Sequence, residues 1–260
     1  WVQAWDDAMR PGGSLPHVAP NAGAGGGGPY WCGFIVMAPW QTWLNYGDRT
    51  LVDRHYPAMR EWMGYVERYM KDGLLTRWPD TPYREWFLGD WLAPHGVDTG
   101  SEASVSLVNN CFVSDCYARM AQMARLTGHD DEAAAFDLEY LKQIGANMIR
   151  VHIKTHPDRW YYHADRLGIL VWQDMICMPK YGQTVTEAAS GQWAAEFKNM
   201  VDWLYNHPSV VLWVVFNEAW GQHDTEKHTQ WIASYDPSRI VTCASGWFDA
   251  PAGNTVDMHD

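Results

Sequence analysis

The hydrophobic period of this 260-residue chain switches partway along it, and that switch limits the folds open to it. Before residue 145 apolar residues recur at three- and four-residue steps. Val105, Val108, Phe112, Cys116, Met120 and Met123 mark one buried face of a helix expected over 103–127, closed by Gly128. Asp130, Asp131 and Glu132 suit the first turn of a following helix over 129–144. Aromatic-rich amphipathic stretches predict helices over 34–47 and 50–71, and long irregular loops are expected at 11–33 and 73–102. After Gly145 the pattern becomes short, β-branched, nearly continuous apolar runs: 146–152, 169–173, 210–216 and 239–244. Such runs fit parallel strands buried on both faces. Helical segments at 157–167, 184–206 and 224–235 alternate with them, a β-α-β-α series that makes a parallel sheet or barrel. Four or five strands are too few for an eight-strand barrel, which takes about 250 residues by itself.

Composition narrows the function. At 47% hydrophobic and 19% charged, the chain is globular, with no apolar run near the ~20 residues that span a bilayer. A net charge of −12 argues against nucleic acid and against an anionic membrane surface, since both need a basic face. Neutral ligands fit better. Tryptophan is in excess, 17 copies beside 13 Tyr and 7 Phe, and flat rings either line cores or stack on ligand rings. Five scattered cysteines form no CxxC pair and read as thiols; Cys111 and Cys116 sit five apart on a helix, pointing away from each other. The chain begins at Trp1 without an initiator Met or a signal peptide, so a processed chain or a fragment is expected.

Several motifs fail on context. Residues 23–28, GAGGGG, satisfy GxGxxG formally, but prolines surround them and no strand precedes them, so they read as a loop. There is no GK[ST], GxSxG or HExxH. His152 and His156 are four apart and His223 and His228 five apart, and both pairs read as ordinary polar histidines rather than zinc ligands. Neither a metal nor a cofactor is expected.

The strongest stretch is NHPSVVLWVVFNEAWG, Asn206 to Gly221, where a hydrophobic strand ends abruptly in Asn217-Glu218. In a parallel barrel, residues at the carboxyl ends of strands line the active site. Burial there raises a carboxyl pKa, which suits a general acid, and a neighbouring Asn can hydrogen-bond a sugar hydroxyl. A capping Asn followed by a helix-start Glu explains the same pair equally well. Arg150, His152, Asp174 and Trp247 stand at matching strand ends, and His259 follows a strand expected at 256–258. Five polar positions on consecutive strand ends favour a site.

Residues 137–260 resemble the catalytic TIM barrel of glycoside hydrolase family 2, the group of β-galactosidases, β-glucuronidases and β-mannosidases. GANMIRVHIKTHPDRWYYHADRLGILVWQDM, NHPSVVLWVVFNEAW and DPSRIVTCASGW are similar to its strands two to five in order. The resemblance implies that Glu218 is the acid/base of a retaining mechanism and Asn217 its sugar-binding neighbour. It also implies that Arg150, His152, Trp247 and His259 line the sugar pocket; Asp174 is a further candidate for substrate binding from its strand-end position. That family's nucleophile is a Glu after its seventh strand, and the similarity runs only to about the sixth. An incomplete catalytic set is therefore expected within these 260 residues, because a retaining glycosidase needs two carboxylates about 5–5.5 Å apart.

Residues 1–136 resemble the (α/α)6 barrel of family 78 α-L-rhamnosidases, through DDAMRPGGSLPHVAP, GGGPYW, YGDRTLVDRHYPAMREWMGYV, LGDWLAP and NNCFVSDCYARMAQMARLTGHDDEAAAF. That likeness implies that Trp31 and Trp91 stack on a sugar face and that Asp90 binds hydroxyls. Packing in core or loops is the alternative for Trp31, Trp86 and Trp91.

The expected fold is thus mixed, an all-α partial (α/α)6 toroid followed by a partial (β/α)8 TIM barrel, joined through a continuous helix reading EAAAFDLEYLKQIG. The expected activity is hydrolysis of O-glycosidic bonds in an oligosaccharide or glycoside. An inverting α-L-rhamnosidase and a non-catalytic glycan-binding fragment or chimera stand as alternatives. Open edges of both partial barrels predict self-association. The families favour a bacterial periplasmic or secreted location.

Overall fold

The computed structural model describes residues 1–20, 28–77, 87, 102–178, 184–246 and 248–255. The chain divides into two compact units, Trp1–Gly145 and Ala146–Asp260.

The first unit is helical: α1 (Val2–Asp7), α2 (Pro29–Cys32), α3 (Phe34–Tyr46), α4 (Thr50–Glu67), α5 (Glu102–Leu126) and α6 (Asp130–Gln143), with a small hairpin of β1 (Met70–Lys71) and β2 (Leu74–Leu75). Of the face expected on α5, Val105, Cys116, Met120 and Met123 are buried, but Val108 and Phe112 are only half-buried, and Val113 and Tyr117 take their place in the core. The buried residues pack with Met59, Trp62 and Met63 of α4 in one core. The acidic first turn of α6 does more than suit a helix dipole: Glu132 accepts hydrogen bonds from Tyr56 (2.8 Å) and Arg60 (2.5 Å) of α4.

Helix α4 stops at Glu67, short of the residue 71 expected from its pattern. Asp72 and Gly73 both take positive φ, 54° and 79°, and reverse the chain so that Met70 pairs with Leu75. An Asp-Gly pair is the preferred content of such a two-residue turn, and it overrode the continuing helical pattern. The hairpin is then fastened to the helices: Asn110 Oδ1 accepts the Leu75 N–H (2.7 Å) and Gln143 donates to the Gly73 carbonyl (2.5 Å).

The compact units part after Gly145, nine residues beyond the 136/137 junction expected from the two resemblances. Helix α6 is continuous and packs on α5, with the Phe136 and Tyr117 rings 6.1 Å apart, so it stays with the first core.

The second unit alternates strand and helix: β3 (Met148–Val151), α7 (Asp158–Leu167), β4 (Leu170–Asp174), α8 (Glu187–Leu204), β5 (Val210–Asn217), α9 (Thr225–Tyr235) and β6 (Ile240–Ser245). The four strands form one parallel sheet in the order β3-β4-β5-β6. Helix α8 begins three residues later than its pattern suggests, where Thr186 Oγ1 accepts the Ala189 N–H (3.2 Å) and caps it. Burial on both faces holds for β5, which is buried at every position but Val211. It does not hold elsewhere. Met148, Leu170, Trp172 and Ile240 are exposed; β3 and β6 are edges of the described sheet, and β4 lies between β3 and β5 with the face of Leu170 and Trp172 open.

Two buried polar side chains of this unit pair with each other. Trp213 Nε1 donates to Asp236 (2.9 Å), which also accepts from Arg239 (2.7 Å). Burial opposes the charge of Asp236, but hydrogen bonds from Ser238, Trp213 and Arg239 prevail and hold its carboxyl below the usual range.

His207 ties α7 to the start of β5, with Nδ1 2.7 Å from Asp165 and Nε2 3.1 Å from Asp158. Burial works against its charge, yet the two carboxylates outweigh burial and raise its pKa above the ordinary value. A histidine whose folded pKa is raised stabilises the fold below its unfolded value, about 6.5, and that contribution disappears as pH climbs through the folded value. Urea unfolding is therefore expected to show stability declining by about 1 kcal/mol from pH 6 to pH 8 through this residue. In His207→Gln that decline should vanish; an unchanged profile would remove the assignment.

Candidate active site

Because all four strands run parallel, their carboxyl ends lie along the same edge of the sheet, where ligand sites of such folds sit. One side chain connects all four ends. Arg150 on β3 directs Nε and Nη2 at Asp174 on β4, at 2.9 and 2.8 Å, in a bidentate pair. Its Nη2 also donates to Asn217 Oδ1 on β5 (2.9 Å), and Nη1 donates to Ser245 Oγ on β6 (2.6 Å). Asp174, Asn217 and Ser245 are all buried. Asp174 further accepts the Ile153 N–H at 3.2 Å. Burial pushes the Asp174 carboxyl above its ordinary pKa, against the pull of Arg150, the Ile153 amide and His152. With Oδ1 of Asn217 committed to Arg150, the group this carboxamide has left to offer a ligand is its NH2, a donor.

Beyond Asn217 the backbone turns sharply. Glu218 and Ala219 both adopt left-handed conformations, φ 46° and 61°, and Gly221 follows at φ 66°. Left-handed backbone costs roughly 1–2 kcal/mol per non-glycine residue and persists only where surrounding contacts impose it. Here the Glu218 N–H donates to the Ser245 carbonyl (2.9 Å) and the Trp220 N–H to the Asn217 carbonyl (3.0 Å). A capping Asn and a helix-start Glu are excluded by this geometry, since the next helix, α9, begins only at Thr225. Glu218 is half-buried at the strand end, next in the chain to Asn217 of the Arg150 network.

Gly221 closes the turn against the chain that follows β4. A Cβ at this position would stand 2.6 Å from Met178 Cβ, at a φ that side chains rarely adopt. Gly221→Ala is accordingly expected to cost about 2 kcal/mol in unfolding free energy. A change below about 0.5 kcal/mol, the size of an ordinary surface substitution, would show that the turn is not so confined.

The structure gathers Arg150, Asp174 and Asn217 into one network with Glu218 next in the chain. His152 is exposed, just past β3, and close enough to Asp174 for its charge to act on that carboxyl. Trp31 lies in the other unit, on α2, half-buried with its ring edge-on to His17 (6.0 Å) and Tyr30 (6.4 Å). Asp90, Trp91, Trp247 and His259 lie outside the described residues, as does Trp86.

Two participants were not anticipated. Ser245 ends β6 and holds both the guanidinium and, through its carbonyl, the Glu218 amide. Cys177 is half-buried after β4; burial pushes its thiol pKa up, and the Asp174 and Glu218 carboxylates add to that, so it stays a protonated thiol. The signal for Cys177 was its place three residues beyond Asp174 at a strand end. Beside the turn lies an open depression of about 480 Å³, between Gln222, Thr225, Lys227 and the exposed ring of Phe248. Among the described residues no group of three or more His, Cys, Asp or Glu side chains is placed to hold a metal. No described helix is long and apolar enough to cross a membrane.

Comparison with known proteins gives two family matches. The bacterial α-L-rhamnosidase six-hairpin glycosidase domain matches residues 1–156, and the TIM barrel domain of glycosyl hydrolases family 2 matches residues 122–258. A β-galactosidase of Leuconostoc mesenteroides is 26% identical over 140 residues, 49% of this chain and 13% of that protein. A β-galactosidase of Alteromonas mediterranea is 31% identical over 128 residues, 46% of this chain and 12% of that protein. The chain thus spans about an eighth of the length of these relatives. A solved α-L-rhamnosidase of Streptomyces avermitilis, complexed with L-rhamnose, aligns with 78% of this chain and 17% of its own, at 18% identity and a TM-score of 0.45.

Proposed function

We propose, from the premise that the chain belongs to glycosyl hydrolases family 2 over residues 122–258 and to the bacterial α-L-rhamnosidase six-hairpin glycosidase family over residues 1–156, that it serves the hydrolysis of O-glycosidic bonds. In this reading β3 to β6 are strands two to five of a (β/α)8 barrel, and the helices of residues 1–136 are part of an (α/α)6 toroid. Glu218 is the acid/base of a retaining mechanism. It gives a proton to the glycosidic oxygen while a second carboxylate, which the resemblance places after the seventh strand, attacks the anomeric carbon; it then takes a proton from the water that displaces that carboxylate and frees the sugar.

One observation carries the reading: Glu218 sits in an enforced left-handed turn directly after an Asn whose orientation is set by a guanidinium bridging four strand ends. Asn217 then donates its NH2 to a sugar hydroxyl, and His152, Trp247 and His259 are assigned to the same pocket. Asp174 is a poor choice for the attacking carboxylate, since it is fully buried and both of its oxygens are held by Arg150. Its role is to fix the guanidinium that orients Asn217.

The match over residues 1–156 supports a second reading, in which the helical unit contributes α-L-rhamnoside binding through Trp31, Asp90 and Trp91. Proton NMR of the first sugar released distinguishes the two. Retention of the β-anomer from an aryl β-galactoside or aryl β-glucuronide supports the Glu218 reading, and inversion from an aryl α-L-rhamnoside supports the other. These 260 residues are expected to carry only one of the two carboxylates, so the assay is made in the protein that carries them together with the second. No turnover of any of the three there, with binding retained, would leave a glycan-binding protein.

A further inference from the structure

We propose that His223 is a positioning residue for the carboxyl of Glu218, acting through the turn that carries it; the proposal rests on the acid/base reading of Glu218. His223 Nδ1 lies 2.7 Å from the Gly221 carbonyl, and because a carbonyl only accepts, Nδ1 is the donor. Its other nitrogen, Nε2, is 2.9 Å from Ser190 Oγ in the first turn of α8. The ring is edge-on to Trp193 (5.5 Å), Phe216 (5.4 Å) and His228 (4.9 Å), which leaves it little freedom to rotate away from either partner.

The turn therefore hangs between two anchors. On one side the Glu218 N–H is bound to the Ser245 carbonyl of β6. On the other, His223 carries the Gly221 carbonyl to α8. Helix α8 is in turn fixed to the chain after β4, because Trp193 Nε1 donates to the Ile176 carbonyl at 3.1 Å. Two residues later stands Met178, the wall against which Gly221 closes. Since Glu218 and Ala219 occupy a disfavoured backbone region, the turn keeps its shape only while such anchors over-determine it. Cutting the His223 anchor frees Glu218 to drift, and a displacement near 1 Å from productive geometry is enough to cost up to about a hundredfold in rate.

The closing experiment compares wild type, His223→Phe and His223→Asn in two measurements. Phe keeps the ring and removes both hydrogen bonds; Asn restores a donor near the place of Nδ1. The first measurement is amide hydrogen exchange. His223→Phe should speed exchange at Trp220 and Gln222 about tenfold relative to α9, and His223→Asn should return it toward wild type. The second is turnover of an alkyl glycoside against a dinitrophenyl glycoside, whose leaving group needs no proton. His223→Phe should lower kcat on the alkyl substrate about tenfold with KM unchanged, spare the bond-breaking step on the dinitrophenyl substrate, and add nothing to Glu218→Gln.

Unchanged exchange in His223→Phe overturns the anchor. Faster exchange with equal losses on both substrates overturns the positioning role and leaves a structural one. If Glu218→Gln itself has no effect, the acid/base reading fails, and exchange alone then decides whether His223 holds the turn. If His223→Phe does not fold, Ser190→Ala, which removes the far end of the same link, should give smaller changes of the same sign; no change there overturns the proposal.

Discussion

Glu218→Gln is expected to lower kcat on an alkyl glycoside by about 10²- to 10⁴-fold, the usual contribution of a positioned general acid. Glutamine keeps the shape of the side chain and its hydrogen-bonding reach but has no acidic proton to give. The loss should shrink as the leaving group improves, because a dinitrophenolate departs without protonation. With such substrates the slow step becomes removal of the glycosyl group by water, which also needs Glu218, now as a base. Azide requires no base to attack, so it should restore release and yield a glycosyl azide. The measurement is kcat/KM, which reports bond breaking, against leaving-group pKa, and kcat with and without azide, in the protein that carries these residues. Equal losses for every leaving group, or no response to azide, would sink the acid/base assignment.

Arg150→Met is expected to have the largest effect on stability, about 3–5 kcal/mol, the range for removing one partner of a buried ion pair. It leaves the buried Asp174 carboxylate without its bidentate partner and removes the donors to Asn217 Oδ1 and Ser245 Oγ. Typical domains have only 5–15 kcal/mol in total, so the second unit would unfold readily. The effect should depend on pH in a definite direction. Burial already raises the Asp174 pKa. Without the guanidinium that opposes burial, the folded-state value rises further above the unfolded one. A carboxyl raised in this way destabilises the fold as pH climbs past its unfolded value of about 4. The penalty should therefore be smallest near pH 4 and largest above the folded value. Arg150→Met/Asp174→Asn should recover part of the loss by removing the stranded charge. Urea unfolding of the three variants at pH 4.5 and pH 8 checks this, and a pH-independent loss would contradict the burial of charge at Asp174.

Much of the architecture was legible from local pattern. The switch of period after Gly145, the helix faces of α4 and α5, and the alternation from β3 to β6 all follow from where apolar residues recur. The error at the end of α4 arose from ranking a helical period above an Asp-Gly turn that stood in plain view. The exposure of Met148, Leu170, Trp172 and Ile240 could not be read that way, since a strand's composition does not say whether a neighbour covers it. In the site, Arg150, Asp174, Asn217 and Glu218 were found as polar residues interrupting apolar runs at strand ends. The roles proposed for them come in part from motif resemblance. Ser245 was not singled out and His223 was read as an ordinary polar histidine, because partners of each lie far away in the chain. Arg150 and its Ser245 partner are 95 residues apart, and Ser190 and His223 are 33 apart.

The sequence by itself determined the kinds and order of the elements, the two family likenesses, and Asn217-Glu218 as the place where a hydrophobic strand meets chemistry. These are properties of residues close in the chain, governed by periodicity, capping and local motif. The tertiary structure alone decided that one guanidinium would unite four strand ends, that Asp174 would be fully buried with both oxygens held by Arg150, and that Glu218 would sit in a strained turn held from β6 and α8. Those outcomes depend on the parallel register that brings distant hydrogen-bonding groups within about 3 Å, the distance at which such bonds form.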